Sequence, residues 1–155
     1  MRWCLSVVLG GCLNVALAAD QQVYIVGKFQ LQGTSYAQAA FFRSDKIANH
    51  AVCEEELQKG QRGEWDKIFH VLRPVGGGAS YTADYRCVTS NQFFEDWRGN
   101  RSYFKYNYLV EVVNKELNVQ AFSSPAKCLK AYRKNKAKFS SFAFCGKSNQ
   151  AIKEK

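Results

Sequence analysis

Apolar residues recur at every second position over residues 23–31, with Val23, Ile25, Phe29 and Leu31 on one face. This is the period of a strand with one buried side. Gln32-Gly33-Thr34-Ser35 has turn composition, and residues 36–42 return as an alanine-rich second strand. The period then lengthens. Asn49 is a helix N-cap, Gly60 a stop, and Cys53 and Leu57, four apart, share a helix face, while Glu54, Glu55 and Glu56 lie mostly toward solvent. Residues 68–73 read as a strand ended by Pro74, Gly76-Gly77-Gly78 as a loop, and residues 81–89 as a strand carrying Cys87.

The second half repeats this order. Residues 103–113 form the clearest strand, with Phe104, Tyr106, Tyr108, Val110 and Val112 on one face. Asn114-Lys115-Glu116 turns the chain and residues 117–122 return. Ser124 caps a second helix that begins at Pro125 and places Cys128 and Tyr132 on one face. Residues 139–145 make the last strand, and residues 148–155 read as a flexible tail.

The two halves also match in letters. Cys87-Val88-Thr89-Ser90-Asn91-Gln92 and Cys145-Gly146-Lys147-Ser148-Asn149-Gln150 both read C-x-x-S-N-Q. One unit therefore occurs twice, at about 22–92 and 103–150, each as strand, strand, helix, strand. The Ser-Asn-Gln segments are expected to end strands and to bond turn backbone through their side chains; a ligand site shared by both copies is the alternative.

Residues 1–18 have the charge, short apolar core and Ala16-Leu17-Ala18 site of a cleaved signal peptide. Export, periplasmic or extracellular, is thus expected. Cleavage removes Cys4 and Cys12 and leaves Cys53, Cys87, Cys128 and Cys145. Four cysteines allow three pairings, and the repeat favours Cys53–Cys87 and Cys128–Cys145. The expected fold over 19–147 is a single α+β domain. It has an antiparallel sheet with two helices packed on one face, built from two related strand-strand-helix-strand units, each stapled by one disulfide.

Charge changes this picture only in the second half. Residues 19–90 balance eight basic against eight acidic side chains, whereas residues 91–155 hold thirteen against five. A basic half points to an acidic partner. The candidate surface is Lys127, Lys130, Arg133, Lys134 and Lys138 on the second helix, backed by the strand with Tyr106 and Tyr108. An internal partner for the cations is also conceivable, since the first helix carries Glu54, Glu55 and Glu56. An acidic protein is the expected partner, an anionic glycan or membrane surface comes next, and nucleic acid last.

Catalytic groups are sparse. His50 and His70, with Lys67 or Arg73, would allow ribonuclease-like acid–base chemistry if they converged. There is no G-x-S-x-G elbow, no phosphate-binding loop and no metal-binding histidine pair. No cofactor is expected. The favoured reading is a non-catalytic binding protein of inhibitor or immunity type. Asn100-Arg101-Ser102 is a glycosylation sequon, relevant only in a eukaryotic secretory route.

Overall fold

Strand β1 (Gln22–Leu31) is apolar on both faces. Ile25 and Phe29 lie under a helix, while Tyr24 and Val26 face a second cluster with Phe41, Val88, Tyr108, Val110 and Phe144. That second cluster is the inside of a barrel. The computed structural model describes residues 21–35, 37–62, 64, 81–97 and 104–153. The expected signal peptide, the strand at 68–73, the glycine loop and the Asn100 sequon lie outside these residues.

The elements follow in the order β1, β2 (Ala37–Phe42), α1 (His50–Gln61), β3 (Tyr81–Ser90), β4 (Phe93–Phe94), β5 (Tyr106–Val113), β6 (Glu116–Phe122), α2 (Pro125–Asn135), a 3-10 turn (Lys136–Lys138), β7 (Ala143–Ser148) and β8 (Ile152–Lys153). Six strands close in the order β1-β2-β7-β5-β6-β3. β1 is antiparallel to β2 and β3, and β5 to β6 and β7; the two halves join through parallel pairs β2–β7 and β3–β6. The β5–β6 hairpin turns on Asn114 and Lys115, both at positive φ, as a two-residue turn between twisted strands requires.

This corrects the expected fold class. The described residues form a mixed, closed β-barrel with two short helices outside it, not an open antiparallel sheet with a free face. The physical reason lies in the second face. A face carrying Tyr24, Val26, Ala39, Phe41, Tyr108 and Val110 cannot stay in water, and closing the sheet on itself buries it and removes exposed strand edges.

Both halves use the same local geometry. Ile25 sits opposite Cys87 and Leu109 opposite Cys145. The disulfides are Cys53–Cys87 and Cys128–Cys145, each tying a helix to the strand after it. The Cys53 sulfur lies 3.7 Å from the Tyr24 carbonyl oxygen, and the Cys128 sulfur 3.4 Å from that of Tyr108. Two disulfides are in keeping with an oxidising, exported setting.

The parallel joins are short: Thr89 opposite Glu116 at one, Ala37 and Gln38 opposite Gly146 and Lys147 at the other. The Ser-Asn-Gln segments extend them. Gln92 Oε1 accepts from Val119 N–H at 2.8 Å, and its Nε2 donates to Val119 O at 2.8 Å. Gln150 Oε1 accepts from Phe41 N–H at 2.7 Å, and its Nε2 donates to Phe41 O at 2.8 Å and Glu95 O at 2.6 Å. A side-chain amide has the donor–acceptor pair of a peptide, so each glutamine acts as one more residue of ladder, reaching from one half into the other.

The flexible tail is therefore also corrected. Ser148, Asn149 and Gln150 are buried, and β8 pairs with β4. β4 supplies Phe94, which stacks on Phe41 at 4.0 Å and meets Tyr24 edge-on at 5.3 Å. Residues 148–153 thus belong to the barrel and its cover rather than trailing from it.

Candidate functional site

Helix α2 starts where the sequence places it. Ser124 Oγ accepts from Lys127 N–H at 3.3 Å, and Pro125 occupies the first turn. The helix lies outside β5, β6 and β7 and buries only Cys128 of its own residues. Lys127, Lys130, Arg133 and Lys134, followed by Lys136 and Lys138 on the 3-10 turn, are all exposed. None forms an ion pair among the described residues. Lys127, Lys130 and Lys134 are three and four residues apart, so they line one side of the helix. The helix dipole favours Arg133 and Lys134 at the C-terminus but opposes Lys127 in a first turn without an acid.

The alternative, neutralisation of this ridge by α1, is not met. α1 packs on β1 and β3, and α2 on the other half of the barrel. Glu56 pairs instead with Lys59 at 2.6 Å on its own helix.

β5, the strand that carries Tyr106 and Tyr108, lies under α2, but the two side chains point away from the ridge. Both belong to the barrel-interior cluster, and their rings stack at 6.0 Å. Tyr108 is 2% exposed, and its hydroxyl donates to Gln150 O at 3.0 Å. Burial pushes its pKa up from 10.0 to about 12, and burial likewise raises that of Tyr24 at the matching place in β1. The folded state holds both phenols neutral, so it resists a proton loss that the unfolded chain undergoes near pH 10. Their contribution to stability is full below that pH and falls as pH rises from 10 toward 12. Urea midpoints should drop between neutral pH and about pH 11, with a shallower slope in Tyr108→Phe; an unchanged slope in that variant would refute the assignment to Tyr108.

Between α2 and the outer wall of β5–β6 runs an open groove of about 590 Å3. Its wall carries Glu111, Asn118 and Gln120; its helix side carries Asn135 and Lys138; Leu109 and Phe139 supply apolar surface. Glu111 Oε1 accepts from Ser140 N–H at 3.0 Å, and Asn135 Nδ2 donates to Ala131 O at 3.2 Å. Phe139 stacks against Tyr132 at 5.6 Å. The side chains of Asn118 and Gln120 make no hydrogen bond among the described residues.

Sequence reasoning missed this groove, although a signal was present. Pairing the halves by strand register sets Glu111, Asn118 and Gln120 against Gly27, Ala40 and Phe42. Three small or apolar positions in one half are polar in the other.

His50 sits at the start of α1 with its Nδ1 buried and without a hydrogen-bond partner among the described residues. His70, Lys67 and Arg73 lie outside the described residues. Among the described residues no three His, Cys, Asp or Glu side chains group closely enough to hold a metal ion, and no helix is long and apolar enough to cross a membrane. Comparison with protein-family models, curated proteins and solved structures returns no match.

Proposed function

We propose that this protein is an exported, non-catalytic binding domain that docks an acidic protein partner on the ridge of α2. The observation carrying this reading is six exposed cations, four on the disulfide-pinned helix and two on the turn that follows it, with no ion pair among the described residues. Such a set raises local potential, speeds encounter with a complementary acidic face and selects against basic ones. The helix is presented on a closed barrel, so little ordering cost accompanies docking. An inhibitor or immunity role against a secreted protein fits these properties.

The test is capture from envelope and secreted fractions with oxidised protein, at physiological and raised salt. Reversing Lys130 and Lys134 to Glu is expected to weaken capture by at least about tenfold, mainly through slower association. One protein retained at both salts and lost in the variant supports the reading. Retention of heparin, anionic vesicles or nucleic acid alone, falling log-linearly with salt, would replace it with a polyanion role.

A further inference from the structure

The two halves of the barrel share their strand pairing but cover their outer walls differently. Under α1 the wall is dry: Ile25, Phe29, Ala40, Phe42 and Leu57 pack with Cys53 and Cys87. The Phe29 ring lies so close over Gly27 that a Cβ there would come within 2.7 Å of it. Trp97 closes the cluster against Phe42 at 5.5 Å. The corresponding wall under α2 carries Glu111 at the place of Gly27, Asn118 at that of Ala40 and Gln120 at that of Phe42. Counted from each helix cysteine, Asn135 stands at the place of the buried Gly60. The same strand pairing thus closes the corresponding space of the other half with apolar side chains. Glu111 and Asn135 are taken up by Ser140 N–H and Ala131 O, whereas Asn118 and Gln120 are left exposed and uncommitted among the described residues.

The geometry points to an extended peptide segment of the partner, lying in this groove with an apolar side chain on Leu109 and Phe139 and acidic residues on the α2 side. This rests on the reading of the partner as an acidic protein, and names the element of it that is recognised. The fold already uses the required chemistry twice. Gln92 and Gln150 each hold a strand by pairing an amide with the N–H and C=O of one residue. Asn118 and Gln120 present the same amides, exposed and uncommitted among the described residues, along the groove wall. An incoming main chain offers the matching pairs of donors and acceptors. Charge fixes the orientation. Glu111 on the wall disfavours an anion there, while Lys138 at the helix side, with Lys134 four residues earlier, favours one. A groove of this size takes a few residues of chain, with few precisely placed polar groups and an apolar floor. A neutral saccharide would find the amides but gain nothing from the ridge.

The experiment uses the oxidised protein and a library of labelled, end-blocked acidic peptides, each with one apolar residue among aspartates and glutamates. Some members are expected to bind, to shift the side-chain amide signals of Asn118 and Gln120 in nitrogen-labelled protein, and to lose affinity when the apolar residue becomes serine. The double variant Asn118→Ala/Gln120→Ala, at two exposed positions, should keep its circular dichroism and bind about tenfold more weakly, the size of one or two lost neutral hydrogen bonds. Absence of any binding member, binding indifferent to the apolar residue, or unchanged affinity in the double variant would overturn the inference. So would movement of those amide signals by a sulfated or uronic oligosaccharide but by no peptide. The two readings fail separately: partner capture lost on reversing Lys130 and Lys134 but untouched by the double variant removes the groove and leaves the ridge. Capture indifferent to the reversal removes the ridge itself.

Discussion

Replacing Gln150 by alanine is expected to cost about 3–5 kcal/mol of folding stability, among the largest effects of any single polar substitution in this protein. The side chain is fully buried and makes three hydrogen bonds, two to Phe41 and one to Glu95 O. Alanine leaves the Phe41 N–H and C=O unpaired in a place water does not reach, and each such group costs about 1–3 kcal/mol. It also opens a cavity beside Phe41, whose ring stacks on Phe94. Gln92 does the same work for Val119 from a half-buried position, where water can replace the lost amide. Gln92→Ala should therefore cost only about 1–2 kcal/mol. Urea unfolding gives both values, and Gln150→Met separates packing from hydrogen bonding by keeping the volume. Equal losses in Gln92→Ala and Gln150→Ala, or a harmless Gln150→Met, would show that the amide is not what closes the barrel.

The C-x-x-S-N-Q pair was legible in the sequence because it repeats, and so were the helix caps at Asn49 and Ser124 and the cysteine pairing. These are local signals, or become local once the two halves are aligned. Barrel closure was not legible. Alternation along β1 reports that one face carries Val23, Ile25 and Phe29; it does not say that Tyr24 and Val26 on the other face meet Tyr108 and Val110 from the far half. The joins that bring them together are parallel, cross-half and only one or two residue pairs long, so no turn or spacing announces them. The end of the chain misled for a related reason. Ser-Asn-Gln is a polar sequence and reads as solvent-facing, yet its polarity is used inside the protein to replace main-chain bonds. Tyr106 and Tyr108 looked suited to a binding surface because aromatics on a strand serve either role; burial of their face assigns them to the interior. The basic ridge was visible as composition. The groove beside it was not, since Glu111, Asn118, Gln120 and Asn135 are scattered in sequence and converge only through the β5–β6 pairing and the helix above it.

Removing the two disulfides is expected to give different losses, global in one half and local in the other. By loop entropy alone they are similar. Separations of 34 and 17 residues correspond to about 3.8 and about 3.2 kcal/mol. What differs is how each helix is otherwise held. α1 buries Leu57 and Gly60 beside Cys53 and seats on a dry cluster with Phe42 and Trp97. In Cys53→Ala/Cys87→Ala the helix keeps that seat, so the cost appears as a drop of about 3–4 kcal/mol in the cooperative unfolding of the whole domain. α2 buries nothing but Cys128, and at Ala131 and Asn135 it borders the open groove. In Cys128→Ala/Cys145→Ala little apolar contact remains to hold it, and its cations no longer share a fixed scaffold. α2 should then open locally: amide hydrogens over residues 125–135 exchange far faster while those of β1, β3 and β5 stay protected. Capture of the partner should fall with it, because the ridge loses its pre-ordered geometry and docking must supply the ordering cost. Hydrogen exchange read by mass spectrometry, beside urea unfolding of both variants, decides the matter. Uniform deprotection of the barrel in the second variant, or undiminished protection of α2, would mean that the groove side is packed as firmly as the dry one and that the cystine is not what holds the ridge in place.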